Sequence, residues 1–264
     1  MYVLPKKGLG QHFLKDASTA RKIIDALCSA SIPSAYRFTS ALPVLEVGPG
    51  TGVLTRLLLE RPEIDLKAVE IDTESIDYLL HHFPALTGRL VHADFLTIDL
   101  CALFSSPFLL IGNFPYHISS QILFKILACR EHVPVVVGML QKEVAERIAA
   151  PPGSRTYGIL SVLLQAWYHI EYLFTVPERL FFPPPKVQSA VVRLIRNSRT
   201  ELPCAEPLFK QVVKATFNQR RKAIRNSIKQ ITRETPLPEH PLLTYRPEQL
   251  GVQQFIELTH LVSL

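Results

Sequence analysis

The sequence is poor in cysteine. Its four, Cys28, Cys101, Cys129 and Cys204, form no Cys-x-x-Cys pair, and no histidine lies beside them at ligand spacing. Neither a disulfide framework nor a metal site is expected, and a reducing compartment fits. Long apolar runs are lacking too. The longest, around residues 134–140 and 157–167, are far short of the ~20 residues that span a bilayer. The first 14 residues carry Lys6 and Lys7 but no apolar stretch of signal-peptide length. No repeat and no low-complexity segment is visible. These absences argue against membrane-spanning, disulfide-stapled and zinc-bound classes, and predict a soluble cytoplasmic protein. What is present is an apolar content of 47% over 264 residues, enough for a sizeable core.

Periodicity predicts a helix over residues 18–31, with Ile23, Ile24 and Leu27 on one face. Short apolar runs predict strands at 44–47, 66–71, 90–92, 108–111 and 134–140. Helices are predicted over 53–60, 73–81, 119–129 and 143–149. This alternation implies an α/β fold: a parallel, Rossmann-like sheet with helices on both faces. The pattern changes after Asn197. A polar, proline-containing break over 201–207 precedes a long helix over 208–231, and Pro236, Pro238 and Pro241 interrupt the chain beyond it. Two short helices are predicted over 246–250 and 253–261. The reading is a sheet domain over 1–198 and a small all-helical domain over 199–264.

The first chemical signal is Glu46-Val47-Gly48-Pro49-Gly50-Thr51-Gly52, which comes after a predicted strand and opens a predicted helix. Gly48 and Gly50 suit a backbone that turns tightly and lets a ligand come close. Glu70 ends the second strand, where a carboxylate can accept both ribose hydroxyls of an adenosine. Asp94 ends the third strand, where a carboxylate can accept an adenine amino group. Either acid alone reads equally well as a solvated charge. Glycine, Glu and Asp at three consecutive strand ends do not. The dinucleotide pattern G-x-G-x-x-G fails at Val53, and there is no G-x-x-x-x-G-K-[ST]. The loop instead resembles the first motif of S-adenosylmethionine methyltransferases, whose cofactor has no phosphates to cradle.

The fourth strand runs into Asn113-Phe114-Pro115-Tyr116. This resembles the [Asp/Asn]-Pro-Pro-Tyr motif of amino-methyltransferases. An aromatic exocyclic amine is a poor nucleophile, because its lone pair is delocalised into the ring. The Asn113 side-chain oxygen can accept one N–H, and the Phe114 or Pro115 carbonyl another. Two such acceptors favour a pyramidal amine whose lone pair faces a methyl donor, which is catalysis by orientation and fixed dipoles. Tyr116 can stack on the base. The competing reading is a simple turn, and the position directly after the Asp94 strand weighs against it.

With these residues in hand, the chain resembles ribosomal RNA adenine N6,N6-dimethyltransferases of the kasugamycin-resistance (KsgA) family. The resemblance runs over nearly the whole chain. It includes the N-terminal segment from Lys7 to Leu14, residues 141–147, the proline-rich loop and strand at 181–192, residues 217–222 and residues 246–250. It implies that His12 and Leu14 line the cofactor pocket with Gly48, Glu70, Asp94 and Asn113, and that Phe181 faces Tyr116 across the target base. It implies S-adenosylmethionine as cofactor and, as partner, small-subunit ribosomal RNA in an assembling 30S particle. His12 departs from the family's Asn. Phe114 departs from its usual Leu, and there the backbone carbonyl carries the role, so the ring is expected to matter little. The rival readings are a macrolide-resistance type of large-subunit methyltransferase and a non-catalytic RNA-binding assembly factor.

Charge is uneven. Lys plus Arg total 29 against 23 Asp plus Glu, a net charge of +6. Between residues 207 and 233 lie Lys210, Lys214, Arg220, Arg221, Lys222, Arg225, Lys229 and Arg233, with no acidic residue among them. Such a run is often a solvated helix face, but here phosphate contact is the better reading, centred on Arg220, Arg221, Lys222 and Arg225, with Lys186 near the base pocket. Nothing in the sequence demands a dimer, and a monomer is expected.

Overall fold

The computed structural model describes residues 3–38, 41–232 and 237–263. In chain order the elements are β1 (Phe13–Leu14), α1 (Ala17–Cys28), β2 (Leu42–Val47), α2 (Val53–Leu59), β3 (Ile64–Glu70), α3 (Thr73–His82), β4 (Leu90–His92), β5 (Leu109–Asn113), α4 (Ser119–Ala128), β6 (Val135–Gln141), α5 (Lys142–Ala149), α6 (Ile159–Gln165), β7 (Tyr168–Val176), β8 (Phe181–Phe182), β9 (Ser189–Arg196), α7 (Glu206–Asn218), α8 (Ile224–Ser227), α9 (Lys229–Thr232) and α10 (Val252–Ser263). No helix among the described residues is long and apolar enough to cross a membrane.

Two compact units result. The first comprises Met1–Ala145 and His169–Asn197. Its seven-stranded sheet has the order β4-β3-β2-β5-β6-β9-β7. Pairings β4–β3, β3–β2, β2–β5 and β5–β6 are parallel, whereas β9 runs antiparallel to β6. The sheet is therefore mixed, not wholly parallel as the alternation suggested. Strands β2, β5 and β6 are buried along most of their length, as their valine- and leucine-rich runs require. Asp16 caps α1 by accepting the Thr19 N–H at 2.7 Å, and the helix buries Ile23, Ile24 and Leu27 in the core. Strand order reverses at β2, which lies between β3 and β5. This is the switch point where α/β sheets bind ligands at the carboxyl ends of their strands.

The second unit comprises Glu146–Tyr168 and Ser198–Leu264. A single cut near residue 198 therefore misassigns one excursion. The reason lies in α6, where Leu160 to Leu164 are all buried. A helix apolar on every side needs cover on every side, and α6 packs with α7 and α10. The Gly153 N–H donates to Glu248 O at 2.6 Å, and Arg199 Nη1 donates to Ala166 O at 2.8 Å. The expected continuous helix over 208–231 is also broken. The Ile224 N–H donates to Tyr245 O at 2.9 Å, so it is lost to the helical ladder, and α7 ends at Asn218. The helix expected over 246–250 is a single 3-10 turn at Pro247–Gln249. Arg233 and Pro236 lie outside the described residues.

Candidate active site

Four strand ends and the N-terminal segment line one cavity in the first unit. Gly48 and Gly50 come directly after β2, Glu70 ends β3, Asp94 lies just past β4, and Asn113 ends β5 and leads to Pro115 and Tyr116. His12 lines the cavity from the N-terminal segment.

The glycine loop is braced from front and back. Gly48 and Gly50 both have positive φ, at 65° and 57°. A Cβ on Gly50 would lie 2.8 Å from the Phe13 ring, whereas one on Gly48 would point into open space, leaving room for a ligand to approach the backbone. Glu70 accepts the Gly50 N–H at 3.1 Å, and through its other oxygen the N–H groups of Ile71 and Asp72 at 2.9 and 3.0 Å. Burial raises the Glu70 pKa above its ordinary value, with these three bonds opposing. Behind the loop, buried Glu46 accepts from Thr55 Oγ1 at 2.7 Å and ties β2 to the first turn of α2. Asp94 Oδ1 accepts the Leu96 N–H at 2.8 Å and fixes the turn after β4.

The Asn113 amide is oriented by its partner. A carbonyl only accepts, so Nδ2 donates to His12 O at 2.9 Å, and Oδ1 is left to meet a donor. The sequence left two backbone candidates for a second acceptor. The Pro115 carbonyl already accepts the Ile118 N–H at 3.2 Å, whereas the Phe114 carbonyl has no hydrogen bond among the described residues. The Phe114 carbonyl is thus the available one. Its ring is far from incidental. It is 1% exposed and fills a slot between Gly112 and Gly138, which are register partners on β5 and β6. A Cβ on Gly138 would lie 2.5 Å from that ring. The expectation that the Phe114 ring matters little is corrected by this fit.

Tyr116 is held at its edge by Ser189, the two hydroxyl oxygens being 2.5 Å apart, and its ring stacks on His12 with centroids 5.4 Å apart and planes at 24°. Burial pushes its phenol pKa up, so the hydroxyl stays protonated near neutral pH. Phe181 is not brought to the cavity. It is 1% exposed in the apolar core, and the strand's alternation turns Phe182 outward instead. Leu14, paired with Phe181 in the β1–β8 ladder, is likewise core, and lines only a small void behind the loop beside Glu46 and Pro49.

Asp72, to which the sequence assigned no role, pins the N-terminal segment. Lys6 pairs with Asp72 at 2.5 Å and Glu74 at 3.1 Å, and Gln11 Nε2 donates to Asp72 Oδ2 at 3.2 Å. Burial would raise the Asp72 pKa, but the bonds from Lys6, Ser75 and Gln11 outweigh it and hold it below its ordinary value. Gln11 and Asp72 are 61 residues apart, so no local pattern signals the contact. The same holds for Ser189.

In the first unit, Lys186 is exposed. In the second, Lys214, Arg221, Lys222, Arg225 and Lys229 are exposed with no ion pair among the described residues. Arg220 is different. It is half-buried, 3.7 Å from Glu248, and donates from Nη2 to Ser154 O at 3.2 Å. Its guanidinium is thus already partly engaged within the second unit, unlike the side chains of its basic neighbours.

Residues 4–239 match the family described as ribosomal RNA adenine dimethylase. The ribosomal RNA small subunit methyltransferase A of Parabacteroides distasonis is 57% identical over 258 residues, covering 97% of this chain and 93% of the relative. The protein of the same description from Cytophaga hutchinsonii is 53% identical, covering 99% and 98%. Among solved structures, the 23S rRNA methyltransferase ErmE superposes with a TM-score of 0.66 at 26% identity, covering 96% of this chain and 100% of that one. A dimethyladenosine transferase from Plasmodium falciparum superposes with a TM-score of 0.73 at 24% identity, covering 94% and 96%, which is a likeness of fold.

Proposed function

This chain belongs to the ribosomal RNA adenine dimethylase family, and from that premise we propose that it transfers methyl groups from S-adenosylmethionine to the N6 amines of two adjacent adenines near the 3′ end of small-subunit ribosomal RNA. The substrate in this reading is the assembling small-subunit particle in the cytoplasm. One copy is taken to act alone in this reading.

The observation that carries the reading is the pair of free acceptors, Asn113 Oδ1 and the Phe114 carbonyl, beside the Tyr116 ring. A base extruded onto Tyr116 would donate its two amine hydrogens to these oxygens. Each bond draws the nitrogen out of conjugation with the ring and directs its lone pair across the cavity. The cavity wall at Gly48, Glu70 and Asp94 fits an adenosine: an open glycine backbone, a carboxylate already rooted in three N–H groups and a second carboxylate with an oxygen to spare. S-adenosylmethionine supplies a methyl group on a positively charged sulfur. In the transfer an N–C bond forms as the S–C bond breaks, and the amine proton then leaves to solvent. Asn113 and the Phe114 carbonyl stabilise the positive charge that grows on nitrogen before that loss. No strong base is needed, and the protonated Tyr116 serves as platform.

The large-subunit alternative shares this fold, as the ErmE likeness indicates. Identity of 57% to a small-subunit methyltransferase against 26% to ErmE favours the small-subunit reading. The test is radiolabelled methyl transfer to purified small and large subunits from an unmethylated strain, with mapping of the modified base. Label in the large subunit alone would overturn the proposal.

A further inference from the structure

His12 touches three separate parts of the site. Its carbonyl accepts the Asn113 Nδ2 hydrogen at 2.9 Å. Its ring stacks on Tyr116. Its Nδ1 lies 2.7 Å from Pro183 O. That carbonyl can only accept, so Nδ1 carries the hydrogen. Pro183 opens the proline-rich loop that leads to Ser189, whose hydroxyl meets that of Tyr116. The contacts form a closed ring: Asn113 to His12, His12 to Pro183, along the loop to Ser189, and back through Tyr116 to Asn113.

We propose that His12 is a positioning residue for the methyl transfer, locking the Asn113 amide and the Tyr116 ring in register with the proline-rich loop. The family resemblance gives this position a cofactor contact. The geometry adds a second role, in which the imidazole clamps the amine-binding pair from behind. One face of Tyr116 is taken by His12 and its hydroxyl by Ser189, which leaves the other face for the base. The assignment rests on the methyltransferase reading of the site.

Asparagine tests the clamp cleanly. Its Nδ2 stands at the same distance along the side chain as the imidazole Nδ1, so His12→Asn keeps the donor to Pro183 O but loses the stack. His12→Ala loses both. At saturating S-adenosylmethionine, His12→Ala should lower kcat on unmethylated small subunits by about 10- to 100-fold, the scale of one hydrogen bond plus one ring stack. Its calorimetric affinity for S-adenosylmethionine should stay within about 3-fold, and His12→Asn should recover most of the kcat. A cofactor affinity weakened 10-fold or more with kcat intact would reduce His12 to a cofactor contact and overturn the proposal. So would a His12→Asn variant no better than His12→Ala. Should His12→Ala fail to fold, His12→Phe, which keeps the stack and loses the donor, takes its place with a kcat loss of about 3- to 10-fold expected, the share of the hydrogen bond alone. A wild-type chain that transfers no methyl group would instead sink the functional reading, so the two failures are distinguishable.

Discussion

Replacing Glu46 by Gln isolates the cost of a buried charge behind the glycine loop. The Glu46 carboxyl is 1% exposed and has Thr55 Oγ1 as hydrogen-bond donor. Burial, opposed by the Thr55 bond and reinforced by nearby Glu70, pushes its pKa from 4.5 up to about 7. The folded-state value therefore exceeds the unfolded one. Below about pH 4.5 both states hold the proton, and the group does not bias folding. Between 4.5 and 7 the unfolded chain ionises first, so stability falls as pH rises. Above 7 both states are ionised and the penalty is complete. At about 1.36 kcal/mol per pKa unit, a rise of 2.5 (7 − 4.5) amounts to about 3 kcal/mol. Glutamine preserves the acceptor for Thr55 and carries no charge. Its amide nitrogen needs a new acceptor, but that offset is the same at every pH, so the pH dependence is diagnostic. Circular-dichroism melts of wild type and Glu46→Gln should diverge between pH 5 and pH 8. The variant should gain roughly 2–3 kcal/mol more at pH 8, or several degrees at about 2–4 °C per kcal/mol. A difference in melting temperature that does not change with pH would refute the buried-charge argument.

The site yields three more expected outcomes. Asn113→Ala should cut kcat by about 10²–10³, the loss typical of one preorganised polar group, while calorimetric binding of S-adenosylmethionine changes little; unchanged turnover would remove its catalytic assignment. Gly138→Ala places a Cβ 2.5 Å from the Phe114 ring, so it should cost about 1–3 kcal/mol and depress methyl transfer by shifting the Phe114 carbonyl. A fully active, equally stable variant would mean the slot is loose. Replacing Arg221, Lys222 and Arg225 together by Gln should reduce the salt slope of RNA binding by about 2–3, at 0.7–0.9 per phosphate contact. An unaltered slope in filter-binding titrations would show that RNA does not meet these residues.

The central sheet was legible because each buried parallel strand is a short apolar run that stops at a residue with a job: Gly48, Glu70, Asn113. The rest of the first unit left weaker traces. Strand β7 alternates buried and exposed positions irregularly and carries His169, Glu171 and Tyr172, so no clean period marks it. Strands β1 and β8 are two residues each, and their register joins Phe13 to Phe182, a contact no local window contains. Phe114 illustrates a different blindness. The motif identified its carbonyl, but the meaning of its ring depends on Gly138, 24 positions away (138 − 114) on a neighbouring strand. The chemistry of the site was readable from residue type at strand ends. The packing that holds those residues in place was not, because packing partners are adjacent in space alone.

The basic run shows how far a one-dimensional reading of charge reaches. Arg220 and Arg221 are neighbours in a stretch without acids, and the sequence treats them alike. In the folded second unit Glu248 returns to within 3.7 Å of Arg220, and Ser154 O accepts from it. Lys210 meets Glu206 at 2.7 Å, one helical turn back and just outside the acid-free window. The charges of the run left without an ion pair among the described residues are therefore Lys214, Arg221, Lys222, Arg225 and Lys229. Stability and RNA affinity should separate accordingly. Arg220→Gln removes a hydrogen bond to Ser154 and so should lower the melting temperature, with the salt slope of wild type unchanged. The Arg221, Lys222 and Arg225 set should do the reverse. If Arg220→Gln instead flattened the salt slope by about 0.7–0.9, the share of one phosphate contact, its bond to Ser154 would have to break on binding, and the division between structural and phosphate-facing arginines would fail.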